Sequence, residues 1–316
     1  MNKFYIKQIV FIQETLMIME NFYLVLIKNN GDIIHDVFAT SHKDLIGKYI
    51  SFGDKKDSYF KATFLPKDRL DDVNNYTLYI NEIYIPNWYK GEFEINIISK
   101  LQNIISSMII KGRKTILLHE GAILTNNAII EEVKNSVVFA MYNKSKIKVF
   151  DNNSEVYIMT DNANIGEMRD STKVLEMGGF SSINKMFNYT KVMKMFERAK
   201  IFEMHDHSRI VVLKGDANIE EMHNMSQADK LNHMSKVFEM HEHSAIEEMW
   251  KYAIVQKMFD KSRINYMNEE SKVLEMYGES SIEEMYGNTI VEKIYENSLV
   301  HKLYEMAKIL EKQLEK

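Results

Sequence analysis

The sequence has no cysteine, which excludes disulfides, cysteine-ligated zinc and thiol catalysis together. Two prolines and 12 glycines in 316 residues are too few for a collagen-like or low-complexity chain. No charge sign dominates: 40 Lys and Arg stand against 45 Asp and Glu, and a formal net charge of −5 implies no partner by itself. No apolar run has the length of a membrane-spanning helix. Ile9, Val10, Phe11 and Ile12 follow Lys3 and Lys7, but Gln13 and Glu14 cut that run short. No small-residue cleavage site comes after it, so a secretory leader is not expected. There is no Gly-rich phosphate loop, no Ser nucleophile elbow and no His-Glu-x-x-His. These absences point to a cytoplasmic protein without membrane contact, cofactor or enzymatic machinery. Lys111, Arg113 and Lys114 form a basic cluster too short for direct nucleic-acid binding.

What is present is globular in balance, 45% hydrophobic and 27% charged. Residues 1–91 read as a small β-rich domain. Phe22 to Lys28 and Ile33 to Ala39 flank Asn30-Gly31, a hairpin signal in which both turn residues take φ > 0. Tyr76 to Ile85 reads as a further strand, ended by Pro86. Residues 92–112 read as a capping helix, because Ile98, Leu101, Ile105 and Met108 recur at three and four, with Gly112 as the stop. Residues 113–135 resemble degenerate first rungs of a tandem repeat, with Ala122-Ile123-Leu124 and Ala128-Ile129-Ile130.

From Ser136 that repeat locks into a nine-residue register. Its first position runs Ser136, Ser145, Ser154, Ala163, Thr172 and onward to Ala307, always Ser, Ala or Thr. The third is Val or Ile except Ala228, and the sixth is Met or another apolar residue as far as Leu303. Positions one, three and six share no helix face, and nine residues is two and a half helical turns, so successive Met columns would oppose one another. Small-x-branched fits a strand with both residues inward. A corner is expected at positions four and five, with Met on a second short face. Rings at position seven recur every eighteen residues: Phe187, His205, His223, His241, Phe259, Tyr277 and Tyr295. The fold class is therefore mainly β: a β-solenoid over 113–303, a parallel β-helix of two repeats per coil and four short faces. The rings form an external ladder with neighbours about 4.8 Å apart. Leu303, Ala307, Leu310 and Leu314 at four-three-four spacing predict a helical cap over 304–316.

The small-x-Val half of the unit resembles the pentapeptide-repeat family, whose quadrilateral β-helix points alternate residues inward. The whole pattern, as in Ser235 to Met240 and Ser280 to Met285, resembles bacterial and phage-associated Met-repeat proteins. The resemblance covers Ser136 to about Leu303. Some pentapeptide-repeat proteins imitate duplex DNA as inhibitors, which implies such a role here as an expectation.

Two surface sets are candidate partner sites. The ring ladder is one, since surface aromatics are enriched at binding hot spots. Glu247, Glu248, Glu283 and Glu284 are the other, because residues 217–316 hold 19 acidic against 12 basic side chains. They would imitate phosphates, or merely solvate a face. His205, His207, His223, His241 and His243 are candidates for a metal, with an aromatic ladder as the alternative use of the column. The functional expectation is a non-enzymatic interaction protein, a phage or mobile-element inhibitor that blocks a macromolecular partner, most simply a protein. The alternative is an enzyme or nucleotide-handling protein with its site in residues 1–91 and the solenoid as docking arm.

Overall fold

The computed structural model describes residues 23–51, 56–82 and 85–313. The N-terminal apolar run and Leu314 lie outside these. The chain divides into two compact units, residues 1–110 with 121–123, and residues 111–120 with 124–316.

The first unit holds an antiparallel sheet of β1 (Leu24–Lys28), β2 (Ile33–His35), β3 (Tyr59–Pro66) and β4 (Tyr76–Ile80), in the order β2-β1-β3-β4. The β1–β2 hairpin is as expected, but its turn is not. Only Gly31 has positive φ, at 83°, and its N–H donates to the Lys28 carbonyl at 3.0 Å. Asn30 instead donates through its side chain to Asp32 at 2.7 Å. Helix α1 (His42–Tyr49) is not among the elements expected from the sequence, although Ser41 caps it by accepting from the Asp44 N–H. Strand β3 is likewise unexpected. Helix α2 (Glu92–Met108) buries Ile97, Leu101, Ile105 and Met108, so the inward residue at its start is Ile97 and Ile98 is half-buried. The helix ends before Gly112.

The second unit is the parallel β-solenoid. From Val137 every nine residues supply one strand, alternate strands fall in two sheets, and the twenty strands from Val137–Met141 to Lys308–Gln313 make ten coils. The register is eighteen residues: Val156 pairs with Val174 and Met159 with Met177, while Ile183 pairs with Ile201 and Met186 with Met204. We call the sheet containing Lys200–Met204 the front sheet and that containing Arg209–Leu213 the back sheet. The first rungs are as expected, since Leu124, Ala128 and Ile130 are fully buried.

Positions one, three and six form the core. Ser208, Ile210 and Leu213 have no exposed surface, and neither do Val273 and Met276. The expected four short faces are corrected to two sheets. Each repeat is one strand over positions two to six, and the full turn falls at seven to nine. A local break does occur near the expected corner. The ladder pairs positions two, three, five and six and passes over four, as with Lys200–Asn218, Ile201–Ile219, Glu203–Glu221 and Met204–Met222. Alternation resets there, so positions three and six both point inward.

The turn depends on position eight, which is left-handed throughout, as in Asn188 (φ 55°), Asp206 (φ 56°) and Gly278 (φ 68°). Asn, Asp and Gly tolerate that region best, and no β-branched residue occupies the position from Asn143 to Glu305. Gly166, at position four, is required for a different reason. An added Cβ would lie 2.5 Å from the Lys148 carbonyl oxygen.

The C-terminal helix over 304–316 is corrected as well. Leu299–Leu303 and Lys308–Gln313 are strands, and the latter pairs in parallel with Ile290–Tyr295. An isolated helix of that length is marginal in water. The open edge of the preceding strand instead offers a full row of hydrogen bonds. Ala307 and Ile309 keep the repeat's inward register up to Lys312, which pairs opposite Ile294.

Candidate functional site

Seven rings follow alternate repeats of the front sheet and stack in chain order. Centroid separations are 5.1 Å for Phe187–His205, 5.0 Å for His205–His223 and 4.9 Å for His223–His241. They continue at 4.9 Å for His241–Phe259, 5.2 Å for Phe259–Tyr277 and 4.7 Å for Tyr277–Tyr295. All planes lie within 12° of parallel. The coil repeat sets this spacing, because each turn hydrogen-bonds to the one before it. The His223 N–H, for instance, donates to the Met204 carbonyl at 2.8 Å.

A second column holds the ring edges. Nε2 of His205, His223 and His241 lies 3.0, 2.9 and 3.2 Å from Oε2 of Glu203, Glu221 and Glu239, the geometry of an imidazole N–H donating to a carboxylate. Tyr277 donates its hydroxyl to Glu275 at 2.9 Å. Desolvation in the stack, with Glu275 beside it, pushes the Tyr277 phenol up to about 12. Lys185 donates to Glu203 at 2.8 Å. The Lys185 ammonium first, then His205, hold the Glu203 carboxyl below the usual range. Position five thus follows position seven: Glu precedes His205, His223, His241, Trp250, Tyr277 and Tyr286, while Lys precedes Phe187, Phe196 and Phe259. This two-residue coupling is legible in the sequence, yet it is not among the expectations drawn from it. It breaks at Tyr295 and Tyr304, which follow Lys293 and Lys302.

The ladder is therefore more than an exposed column. The three histidine side chains are only 23% exposed, and each stacks on both faces. Mutual packing and the carboxylates give the rings a structural reason to recur. Exposed groups lie two residues further on, at position nine, in the consecutive rungs Tyr189, His207, Met225 and His243. Tyr189 is 68% exposed and Met225 54%. His207 stacks on Tyr189 at 5.2 Å. The five histidines are not one cluster, since three stand in the ladder and two in this outer column. Among the described residues no three His, Asp or Glu side chains converge as a metal ion would require.

The four glutamates lie elsewhere, on the back sheet, and each meets neighbouring side chains. Glu247 accepts from Asn265 at 2.6 Å, and Glu283 lies 3.9 Å from His301. Glu248 accepts from the Trp250 indole at 2.7 Å and pairs with Lys230 at 3.2 Å. The indole is the larger influence holding its carboxyl below the usual range. Glu284 accepts from Lys302 at 2.8 Å and from the Tyr286 hydroxyl, and Lys302 is the first cause of its lowered pKa.

Other acidic groups build the turns. The carboxylate at position eight accepts the backbone N–H of position eight one coil earlier: Asp206 from Asn188 at 3.0 Å, Asp260 from Glu242 at 3.0 Å, Glu305 from Gly287 at 2.8 Å. Some of the acidic excess of residues 217–316 is used this way.

No family model matches the chain, and no curated protein and no solved structure matches it.

Proposed function

We propose that this chain is a non-enzymatic interaction protein that grips a protein partner along the turn edge formed by the ring ladder and its outer column. The observation that carries this reading is the row Tyr189, His207, Met225 and His243, exposed on successive rungs beside half-buried rings. A solenoid holds such rows at fixed spacing without a pocket, which suits it to extended binding surfaces. Exposed aromatic groups bury much area at little entropic cost, and a flexible thioether adapts to an irregular apolar surface. Asp206, Glu242 and Asp260 line the same edge and favour a partner surface that is basic as well as apolar.

The finer reading is a phage or mobile-element inhibitor that blocks a host-defence or nucleic-acid-handling protein in the cytoplasm. Its support is the likeness of the Ser-x-Val-x-x-Met unit to Met-repeat proteins, together with the acidic balance of residues 217–316. Imitation of DNA by Glu247, Glu248, Glu283 and Glu284 is the form of inhibition that balance favours.

The test replaces His223 and Phe259 by Ser in one variant, Tyr189 and Met225 by Ser in a second, and the four glutamates by Gln in a third. Melting temperature and capture of partners from native cells are measured for each. Lost capture with unchanged melting in the second variant supports the edge. Capture lost only in the glutamate variant moves the contact to the back sheet. Capture unchanged in all three overturns the reading.

A further inference from the structure

The outer column sets a thioether beside imidazoles. The backbone N–H groups of His207, Met225 and His243 donate to the carbonyls of Asn188, Asp206 and Asn224 at 3.1, 3.0 and 2.9 Å. Each bond ties position nine to position eight of the preceding coil, so the three residues stand on consecutive rungs in register. Rungs are about 4.8 Å apart. Two donor atoms across a two-coordinate ion stand about 4 Å apart, twice a metal–nitrogen bond of ~2 Å, so side chains on neighbouring rungs must lean together to hold one.

Met225 and His243 share one open depression with Asn224, Glu242, Asp260 and Lys261. The two carboxylates there are already committed to the turns. Glu242 accepts from the Asn224 backbone N–H and, at 2.7 Å, from its side-chain amide, and Asp260 accepts from the Glu242 N–H. They lend negative potential while the exposed thioether and imidazole remain as donors. Lys261 is drawn up the column by Glu279, 3.4 Å away. The unbranched Met225 side chain has the rotamer freedom to swing its sulfur toward either neighbouring ring.

Soft thioether donors select Cu(I), imidazole suits copper, and zinc wants four hard or borderline ligands that this column lacks. We propose that Met225 and His243 bind a soft monovalent cation, Cu(I), with His207, two rungs from His243, as the alternative imidazole toward which Met225 can turn. This does not depend on the partner-binding reading, because the same column binds the ion whether or not a protein docks beside it.

The experiment titrates the full chain with Cu(I) under anaerobic conditions against a chromophoric Cu(I) chelator. One Cu(I) per chain is expected to withstand competition. Met225→Leu and His243→Gln should each weaken retention at least tenfold, and His207→Gln less. Met306→Leu, which removes an exposed methionine with no histidine in its column, should change nothing. Circular dichroism and melting of each variant show that the solenoid is intact. Equal retention by wild type and Met225→Leu overturns the site, as does retention that falls with His223→Gln and not with His243→Gln.

Discussion

His223 and His241 stack with centroids 4.9 Å apart and planes 8° from parallel, although eighteen residues separate them in the chain. The same eighteen-residue step relates every neighbour in the ladder. Removing His223 therefore opens two stacks and takes the ring partner from the Glu221 carboxylate. Aromatic pairs contribute about 0.5–1.5 kcal/mol each beyond area burial. His223→Ser should destabilise the solenoid by roughly 1–3 kcal/mol on that basis. His223→Phe should cost less, because it keeps both stacks and gives up the Glu221 contact alone. Urea unfolding of the two variants would check the order. A Ser variant as stable as wild type would mean that the ladder contributes nothing to the fold.

Acid should weaken the ladder through Glu203. Its carboxyl lies below the ordinary 4.5 because Lys185 and His205 favour the charged form. A carboxylate depressed by folding adds stability above its unfolded pKa. That contribution is lost as pH falls through the folded value. The urea midpoint of wild type should exceed that of Glu203→Gln near neutral pH. The gap should close as pH drops below about 4.5. A gap that stays constant from neutral to acid would show that the Lys185–Glu203–His205 contacts are not formed in solution.

The repeated core hydroxyls and the repeated methionines should respond oppositely to truncation. Ser226 Oγ is buried and has no hydrogen-bond partner, and the same position is Ala163, Ala199, Ala217 and Ala253 elsewhere. Losing an unpaired buried hydroxyl removes a desolvation cost, so Ser226→Ala should be neutral or slightly stabilising. Met240 is fully buried, and Met240→Ala should cost about 2–5 kcal/mol. Chemical denaturation of both variants gives the comparison directly.

The two periods of nine and eighteen make the solenoid legible, because inward columns tolerate few residue types and Phe187 to Tyr295 must meet across coils. The turn is harder to read. Position eight is constrained by backbone conformation and not by hydrophobicity, so Asn188, Glu197, Asp206 and Gly215 look unrelated until their shared left-handed φ is known. The C-terminal strand reads as a helix because Leu303, Ala307 and Leu310 satisfy a helical spacing by coincidence. A hydrogen-bonding edge decides the outcome, and local spacing does not encode it. Residues 23–110 carry no repeat to average over, which hides the strand Tyr59–Pro66 and the helix His42–Tyr49. The ladder is legible as a column but not as half-buried surface. Its burial follows from Glu203, Glu221 and Glu239 acting with the rings, and those residues look like separate repeat positions in the sequence.

Gly166 tests whether the coil spacing is as tight as it looks. An alanine Cβ there would sit 2.5 Å from a backbone oxygen of the preceding coil, closer than such atoms approach. Backbone in a hydrogen-bonded ladder cannot yield as a side chain can. Gly166→Ala should therefore destabilise by about 1–3 kcal/mol, the usual cost of overpacking a filled site. The equivalent change at Gly47, which has nothing within 4 Å of its added Cβ, should stabilise its helix slightly. Thermal melts of the pair would decide the matter.

Oxidation should separate the methionines by rung position. Met225, Met234 and Met306 all stand at position nine and are 54%, 58% and 72% exposed. The position-six methionines, such as Met204, Met222, Met240 and Met258, have no exposed surface. A peroxide must reach the sulfur, and the sulfoxide that forms is polar and does not fit a dry core. Among the described methionines, mild peroxide followed by peptide mass spectrometry should therefore modify those three first. Far-ultraviolet circular dichroism should remain unchanged at that stage. The core column should react only when urea or heat opens the coils, and its oxidation should then prevent refolding, because several stacked rungs would each carry a buried polar group. Early oxidation of Met240 with the fold intact would mean that position six faces solvent, and the two-sheet solenoid would be wrong. If Cu(I) occupies the outer column, Met225 should be protected while Met234 and Met306 are not. The two chemistries would thus report on the same sulfur independently.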